Sequence, residues 1–111
     1  MVWRIRDRAT FEALRRTAQR ARRDSVAVAF AVVGEERAPR VAYAVGRRTG
    51  GAVVRNRVRR RLRAAVREVA PDLSSGAYLV SAGREASELP FEELKAQVRA
   101  AMRAAAEERR R

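Results

Sequence analysis

The stretch VVRNRVRRRLRAAVREV, residues 53–69, decides how this chain folds because it joins a helical apolar period to a dense positive charge. Seven of its seventeen residues are arginine. At about 100° per residue, the apolar side chains fall on one side of a predicted helix and the polar ones fall opposite. The apolar side consists of Val58, Leu62, Ala65, Val66 and Val69, while Asn56, Arg60, Arg63 and Arg67 lie opposite, flanked by Arg57, Arg59 and Arg61. The pattern predicts a helix that docks by one face and presents cations with the other.

The charge of this helix is not relieved by nearby acids. No aspartate or glutamate occurs between Arg37 and Glu68, and like charges four residues apart on a helix cost a few tenths of a kcal/mol per pair. An ordinary solvated face usually mixes both signs of charge. Guanidinium forks hold phosphate oxygens in pairs, and such contacts fix position without reading a base sequence. A phosphate-binding surface is therefore favoured over an ordinary solvated face.

The whole composition points to the same class of partner. The 111 residues are 47% hydrophobic, which predicts a single folded domain over residues 1–111 with one modest core. The chain has 26 basic and 13 acidic residues, which gives a net charge of +13. A polyanionic partner is therefore expected, and nucleic acid is favoured over an acidic membrane. The chain has no cysteine and no apolar run long enough to span a bilayer. We expect a cytoplasmic protein.

Residues that could carry out catalysis are scarce. Histidine is absent, and no serine, lysine or carboxylate pair has the spacing of a catalytic unit. The segment GRRTGG, residues 46–51, lacks the Gly-Lys-Ser/Thr ending of a nucleotide-binding loop. The sequence therefore predicts no active site made of protein alone, and the glycines are expected to let a partner approach the backbone.

Local periodicity predicts the elements around the arginine-rich helix. The predicted order is α-β-β-β-α-β-α, an α+β sandwich, with a helix over Asp7–Ala21, strands over Ser25–Val33, Val41–Val45 and Ala52–Val54, the helix Arg55–Val69, a strand over Ala77–Ala82 and a helix after Pro90. The first two strands are expected to pair as a hairpin. Both put bulky side chains on one face and alanine on the other, so the alanine face should be open or closely approached by another element.

The run RVAYAVGRRTGGAVVRNRVRRRLR, residues 40–63, resembles the signature of the protein component of bacterial ribonuclease P. That family carries an Arg-Asn-Arg motif, preceded by a basic pair and followed by a basic helix. The resemblance covers about two dozen consecutive positions in order, and it extends more weakly over nearly the whole chain. An isolated Arg-Asn-Arg would mean little, but the ordered combination is specific.

The resemblance implies a fold, an activity and partners. The implied fold is the αβββαβα sandwich with a left-handed βαβ crossover. The implied function is that of a subunit of ribonuclease P, which binds the catalytic RNA and the 5′ leader of precursor tRNA and assists endonucleolytic removal of the leader. The RNA would carry out the hydrolysis with Mg²⁺ that it mainly holds itself, and the protein alone would be inactive. Neither a membrane nor a stable protein partner is expected.

The resemblance also assigns roles to residues of this chain. The positions expected to contact the catalytic RNA are Arg47, Arg48, Arg55, Asn56, Arg57, Arg59, Arg60 and Arg63, and Arg67 extends the same predicted cationic face. The leader is expected in a cleft between the first helix and the sheet, at Phe11, Arg15 and Ala29. Because Arg15 and Ala29 stand where relatives can have aromatic residues, little base stacking is expected. Phe11 could stack on a base or serve ordinary core packing.

Two other classes of function fit parts of the sequence. A small basic structural RNA-binding protein, of ribosomal or chaperone type, explains the charge but does not need the run at residues 46–57. A binder of anionic membranes needs large apolar side chains on an inserting helix face. Valine, leucine and alanine at 58–69 suit a core better.

Overall fold

The computed structural model describes residues 3–5, 7–16, 19–32 and 38–108. The strands are β1 (Trp3–Arg4), β2 (Gln19–Arg23), β3 (Val26–Ala31), β4 (Pro39–Tyr43) and β5 (Gly76–Ala82), and the helices are α1 (Arg8–Arg16), α2 (Ala52–Val69) and α3 (Phe91–Glu108). Short 3₁₀ turns occupy Arg47–Thr49, Ala70–Asp72 and Arg84–Ser87. The α+β class is confirmed.

The five strands form one mixed sheet in the order β1-β4-β5-β3-β2. β5 lies at the centre, parallel to β4 and antiparallel to β3. The two-residue β1 extends one edge parallel to β4, and β2 forms the other edge antiparallel to β3. Helix α2 links the parallel strands β4 and β5, which makes the βαβ unit that the family resemblance implied. The left-handed sense of that crossover stays a prediction.

The main core lies between one face of the sheet and the helices α2 and α3. The apolar face predicted for α2 is confirmed, since its buried residues are Val58, Leu62, Ala65, Val66 and Val69. They pack with Val26, Val28, Phe30, Tyr78 and Val80 of the sheet and with Leu94, Val98, Ala101, Met102 and Ala105 of α3. Full burial of a valine or leucine side chain contributes about 1.5–3 kcal/mol, so this face fixes α2 firmly.

The alanine face of the sheet is closely approached by α1, one of the two expected arrangements. A second cluster on this side joins Ile5, Leu14, Ala29, Ala31 and Ala77. Alanine leaves room for the helix to lie near the strands, and the fully buried Leu14 fills the gap between them. Part of the face beyond α1 stays uncovered and forms a groove.

One predicted strand, one predicted helix end and one predicted strand pairing are wrong. Residues 52–54 form the first turn of α2 and not a strand, because a short apolar run fits either period. Helix α1 ends at Arg16, and residues 19–23 form β2, although a helix was predicted to Ala21; residues 17 and 18 lie outside the described residues. β3 and β4 do not pair, because β5 lies between them. The hairpin partner of β3 is β2, joined through Asp24 and Ser25.

The described parts of the chain contain no helix long and apolar enough to cross a membrane. The apolar face of α2 at Val58, Leu62, Val66 and Val69 is buried in the core.

Asp7 connects the start of α1 to the sheet edge. Its Oδ2 accepts hydrogen bonds from the Thr10 backbone amide at 3.0 Å and from the Thr10 hydroxyl at 2.6 Å. This is the arrangement of a helix N-cap. The Arg40 guanidinium of β4 donates to Asp7 Oδ1 and to Thr10 Oγ1, both at 3.1 Å. Hydrogen bonds from Thr10, and then from Arg40, lower the pKa of the Asp7 carboxyl below its ordinary value.

We predict that replacing Asp7 with asparagine makes stability less dependent on pH in acid. A lowered folded-state pKa adds stability that is fully present above the unfolded-state pKa of about 3.9 and is lost as pH falls through the folded value. In urea unfolding between about pH 2 and pH 7, the wild type should have a larger free energy of unfolding than Asp7→Asn near neutrality. The difference between the two free energies should shrink below about pH 4. A gap that stayed constant down to pH 2 would contradict the role of the Asp7 charge.

Candidate nucleic-acid interface

The approach to α2 places a basic pair beside the start of the helix. The 3₁₀ turn Arg47–Thr49 is anchored by the buried Thr49, whose hydroxyl donates to the Ala82 carbonyl at 3.0 Å. Arg47 and Arg48 are exposed on this turn. The helix then begins after Gly51, whose carbonyl accepts the Arg55 amide at 2.9 Å. The basic pair and the Arg-Asn-Arg motif are thus held side by side.

Gly50 is required by the geometry of this junction. Its φ of 146° lies in a region that residues with a side chain rarely adopt, and a Cβ there would lie 3.0 Å from the Cβ of Val54. Gly46 and Gly51 differ, since a Cβ at either would meet nothing within 4 Å. The backbone at these two glycines is therefore not crowded by the fold, whereas Gly50 serves the turn itself.

The nine residues predicted to bind RNA share one feature, which is that none is buried. We call them the arginine surface: Arg47, Arg48, Arg55, Asn56, Arg57, Arg59, Arg60, Arg63 and Arg67. All but the first two lie on α2, either opposite its buried face or on its flanks. In the described part of the chain, the ion pairs involve Arg8, Arg16, Arg40 and Lys95 and no member of this surface. Its charge is thus not neutralised by the fold.

Neighbouring groups orient two arginines of this surface. Arg59 donates to Asn56 Oδ1 at 3.0 Å and lies 3.4 Å from the Val45 carbonyl. The Arg63 guanidinium lies over the Tyr43 ring, 5.6 Å from its centroid, within the range of a cation–π contact. Burial raises the pKa of Tyr43 to about 12, although Arg63 and Arg67 oppose the rise. These contacts hold the side chains in place before any partner arrives.

Two arginines on the flank of α2 bind the protein's own backbone. Arg57 Nε donates to the Ser87 carbonyl at 2.7 Å. Arg61 donates through Nη1 to the Ala86 carbonyl at 2.7 Å and through Nη2 to the Leu89 carbonyl. Both tie α2 to the segment around the 3₁₀ turn Arg84–Ser87. Sequence reasoning did not foresee this use, because the segment is distant along the chain and its acceptors are main-chain carbonyls.

A groove of about 380 Å³ lies on the uncovered part of the alanine face. Its lining residues are Arg20, Ala21, Arg22, Ala27, Val28, Ala29, Leu79 and Ser81. Of the residues predicted for the leader cleft, Ala29 lines the groove, Phe11 is half-buried against the cluster under α1, and Arg15 is exposed on α1. No aromatic residue is among the described residues that line the groove.

Arg20 and Arg22 are groove residues that sequence analysis missed. Cross-strand pairing sets Arg20 opposite Ala29 and Arg22 opposite Ala27, so both arginines lie on the alanine face. Arg20 was overlooked because residues 7–21 were assigned to a helix, and Arg22 because it fell between that helix and the strand predicted from Ser25. The alternation of half-buried Gln19 and Ala21 with exposed Arg20 and Arg22 is a strand signal, but its apolar residues are too few to stand out.

We predict that Arg61 stabilises the fold, whereas its neighbour Arg60 does not. Arg61→Ala would leave the Ala86 and Leu89 carbonyls without their donors, which should cost about 1–3 kcal/mol in the free energy of unfolding. Arg60 is exposed, and its replacement should change stability by less than about 0.5 kcal/mol. Denaturant unfolding of the two single variants tests this, and equal stabilities would show that the Arg61 contacts add nothing.

The chain matches known proteins in sequence and in fold. A sequence model of the family described as ribonuclease P matches residues 2–106. The ribonuclease P protein component of Thermobifida fusca is 39% identical, in an alignment that covers 91% of this chain and 74% of that protein. That of Symbiobacterium thermophilum is 50% identical over 53% of this chain and 52% of its own length.

Solved structures share the fold at lower sequence identity. The ribonuclease P protein of Staphylococcus aureus has a TM-score of 0.78 and 18% identity, covering 93% of this chain and 94% of that one. The protein from Thermotoga maritima has a TM-score of 0.74 and 21% identity, covering 86% and 90%. With the sequence match over nearly its whole length, the chain belongs to the ribonuclease P protein family.

Proposed function

We propose that this chain binds the catalytic RNA of ribonuclease P through the arginine surface and helps it remove the 5′ leader of precursor tRNA. Family membership makes the chain a subunit of ribonuclease P in tRNA 5′ processing. The observation that carries the binding proposal is the arginine surface itself. It has eight guanidinium groups and one amide with no ion pair to the described residues, and of these guanidinium groups that of Arg57 also donates to the Ser87 carbonyl. Such a surface suits the regularly spaced phosphates of a folded RNA.

The groove on the alanine face is the proposed site of the leader. An apolar floor with arginine on one side can hold the backbone of an extended single strand. Because its described lining includes no aromatic ring, base stacking adds little to the affinity for the leader. Arg20 and Arg22 would bind the leader's phosphates instead. We therefore expect leader binding that depends on charge and shape more than on the identity of the bases.

Catalysis is proposed to belong to the RNA subunit, with Mg²⁺ held mainly by that RNA. No three histidine, cysteine, aspartate or glutamate side chains cluster within the described ranges. The arginine surface would also repel a free cation. The protein's proposed contribution is to neutralise phosphates, so that less Mg²⁺ is needed to bring the RNA and its substrate together. Because that substrate is precursor tRNA, we propose that the protein acts in the cytoplasm.

Cleavage of a precursor tRNA tests the function directly. We expect a bacterial ribonuclease P RNA at low Mg²⁺ to cleave at the correct 5′ position with this protein and poorly without it, because protein cations replace bound Mg²⁺. The protein alone should be inert. Binding of RNA without restored cleavage would favour a structural RNA-binding role, the second function considered for this sequence.

A second prediction concerns the dependence of RNA binding on salt. Replacing Arg60 and Arg63 with alanine should weaken binding of the catalytic RNA and lower the slope of log affinity against log salt by about one unit for each phosphate that is no longer neutralised. The melting temperature should change little, because both side chains are exposed. The matched control is Arg103→Ala, an exposed arginine on α3. An unchanged slope in the double variant would remove both residues from the interface.

A further inference from the structure

A small basic pocket lies where the sheet edge meets α2. It has a volume of about 190 Å³ and is lined by Arg4, Tyr43, Arg59 and Arg63, with an apolar floor of Ile5, Val41 and Ala42. Arg4 belongs to β1, Tyr43 to β4 and the other two arginines to α2. The pocket therefore joins three elements that are far apart in the sequence. The resemblance assigned no RNA-binding role to Arg4 or Tyr43.

The polar groups of the pocket are mainly donors. A guanidinium has five N–H donors and no acceptor, and three of the lining residues are arginines. The Tyr43 hydroxyl is a neutral donor at neutral pH, because a tyrosine's ordinary pKa is about 10 and burial raises it further, to about 12. No carboxylate is among the described lining residues. A ligand that fits must bring several acceptor oxygens and negative charge.

Two of the arginines make contacts within the protein. Arg59 is held by Asn56 Oδ1 and the Val45 carbonyl, and Arg63 lies over the Tyr43 ring. Less conformational entropy is lost on binding when side chains are held beforehand. Because like charges repel at short range, an anion bound among the three arginines would lower their mutual repulsion. Both effects favour an anion at this place.

We propose that this pocket binds one backbone phosphate of the catalytic RNA and thereby fastens β1 to α2. The inference rests on the proposed function, because Arg59 and Arg63 also belong to the arginine surface. RNA lying along α2 would continue to the sheet edge, where Arg4 and the Tyr43 hydroxyl complete the set of donors. The chemistry recognised is a phosphate group, which a free phosphate ion shares with RNA.

The experiment measures binding of a ribonuclease P RNA over a series of salt concentrations for the wild type and three single variants. Arg4→Ala should lower the salt slope by about one unit, because one cation at a phosphate is removed. Tyr43→Phe should weaken binding about 2–10-fold with the slope unchanged, because it removes a neutral donor and keeps the ring under Arg63. Arg103→Ala, which removes an exposed cation from α3, should keep the wild-type affinity and slope.

The outcomes separate this inference from the proposed function. If the wild type binds RNA tightly and restores cleavage while Arg4→Ala and Tyr43→Phe bind like it, the pocket proposal fails and the function stands. If the wild type does not bind the RNA, the proposed function fails.

Thermal melts with added inorganic phosphate distinguish the source of the phosphate. The proposal is supported if phosphate raises the melting temperature of the wild type but not of Arg4→Ala, and if Arg4→Ala also has the lowered salt slope of RNA binding. The pocket then binds RNA phosphate. If Arg4→Ala loses the stabilisation by phosphate but binds RNA like the wild type, the pocket binds free phosphate. That result would overturn the proposal.

Discussion

The docking of α2 on the sheet is the constraint on which the rest of the structure depends. Four pairs of arginines lie four residues apart on this helix, and each pair costs a few tenths of a kcal/mol. Burial of Val58, Leu62, Val66 and Val69 contributes about 1.5–3 kcal/mol for each side chain, which is well above the total repulsion. The helix therefore forms in spite of its charge, and its position sets that of β5, the central strand that follows it.

The arginines of α2 divide by what they contact. Arg61 and Arg57 donate to carbonyls of the segment after β5, so they help to hold the helix that carries them. Arg60, Arg63 and Arg67 are exposed and carry the charge that a partner can use. A motif read as a uniform run of cations thus contains both structural and binding positions, and only the tertiary fold separates them.

Much of the fold and of the arginine surface could be predicted from the sequence, because the strongly periodic apolar residues are the ones that become buried. The buried face of α2 was identified residue by residue, and β3, β5 and α3 were placed correctly. The errors occurred where local pattern is weak or pairing is distant. Residues 19–23 contain one apolar side chain in five, so β2 went unnoticed and with it the position of Arg20 and Arg22 on the groove. β5 lies between β3 and β4 because the chain crosses over through α2. A local sequence pattern does not predict such a crossover.

The arginine surface also restricts how this protein can be controlled. Arginine keeps its proton throughout the physiological range, and the chain has no histidine. The sole lysine, Lys95, lies on α3, where its Nζ is 2.7 Å from Glu92 Oε2 and 3.3 Å from Glu68 Oε1. Acetylation, which neutralises lysine, has no target on the arginine surface. The charge of the interface is thus permanent, and the ionic environment, rather than protonation or lysine chemistry, sets how tightly it holds a polyanion.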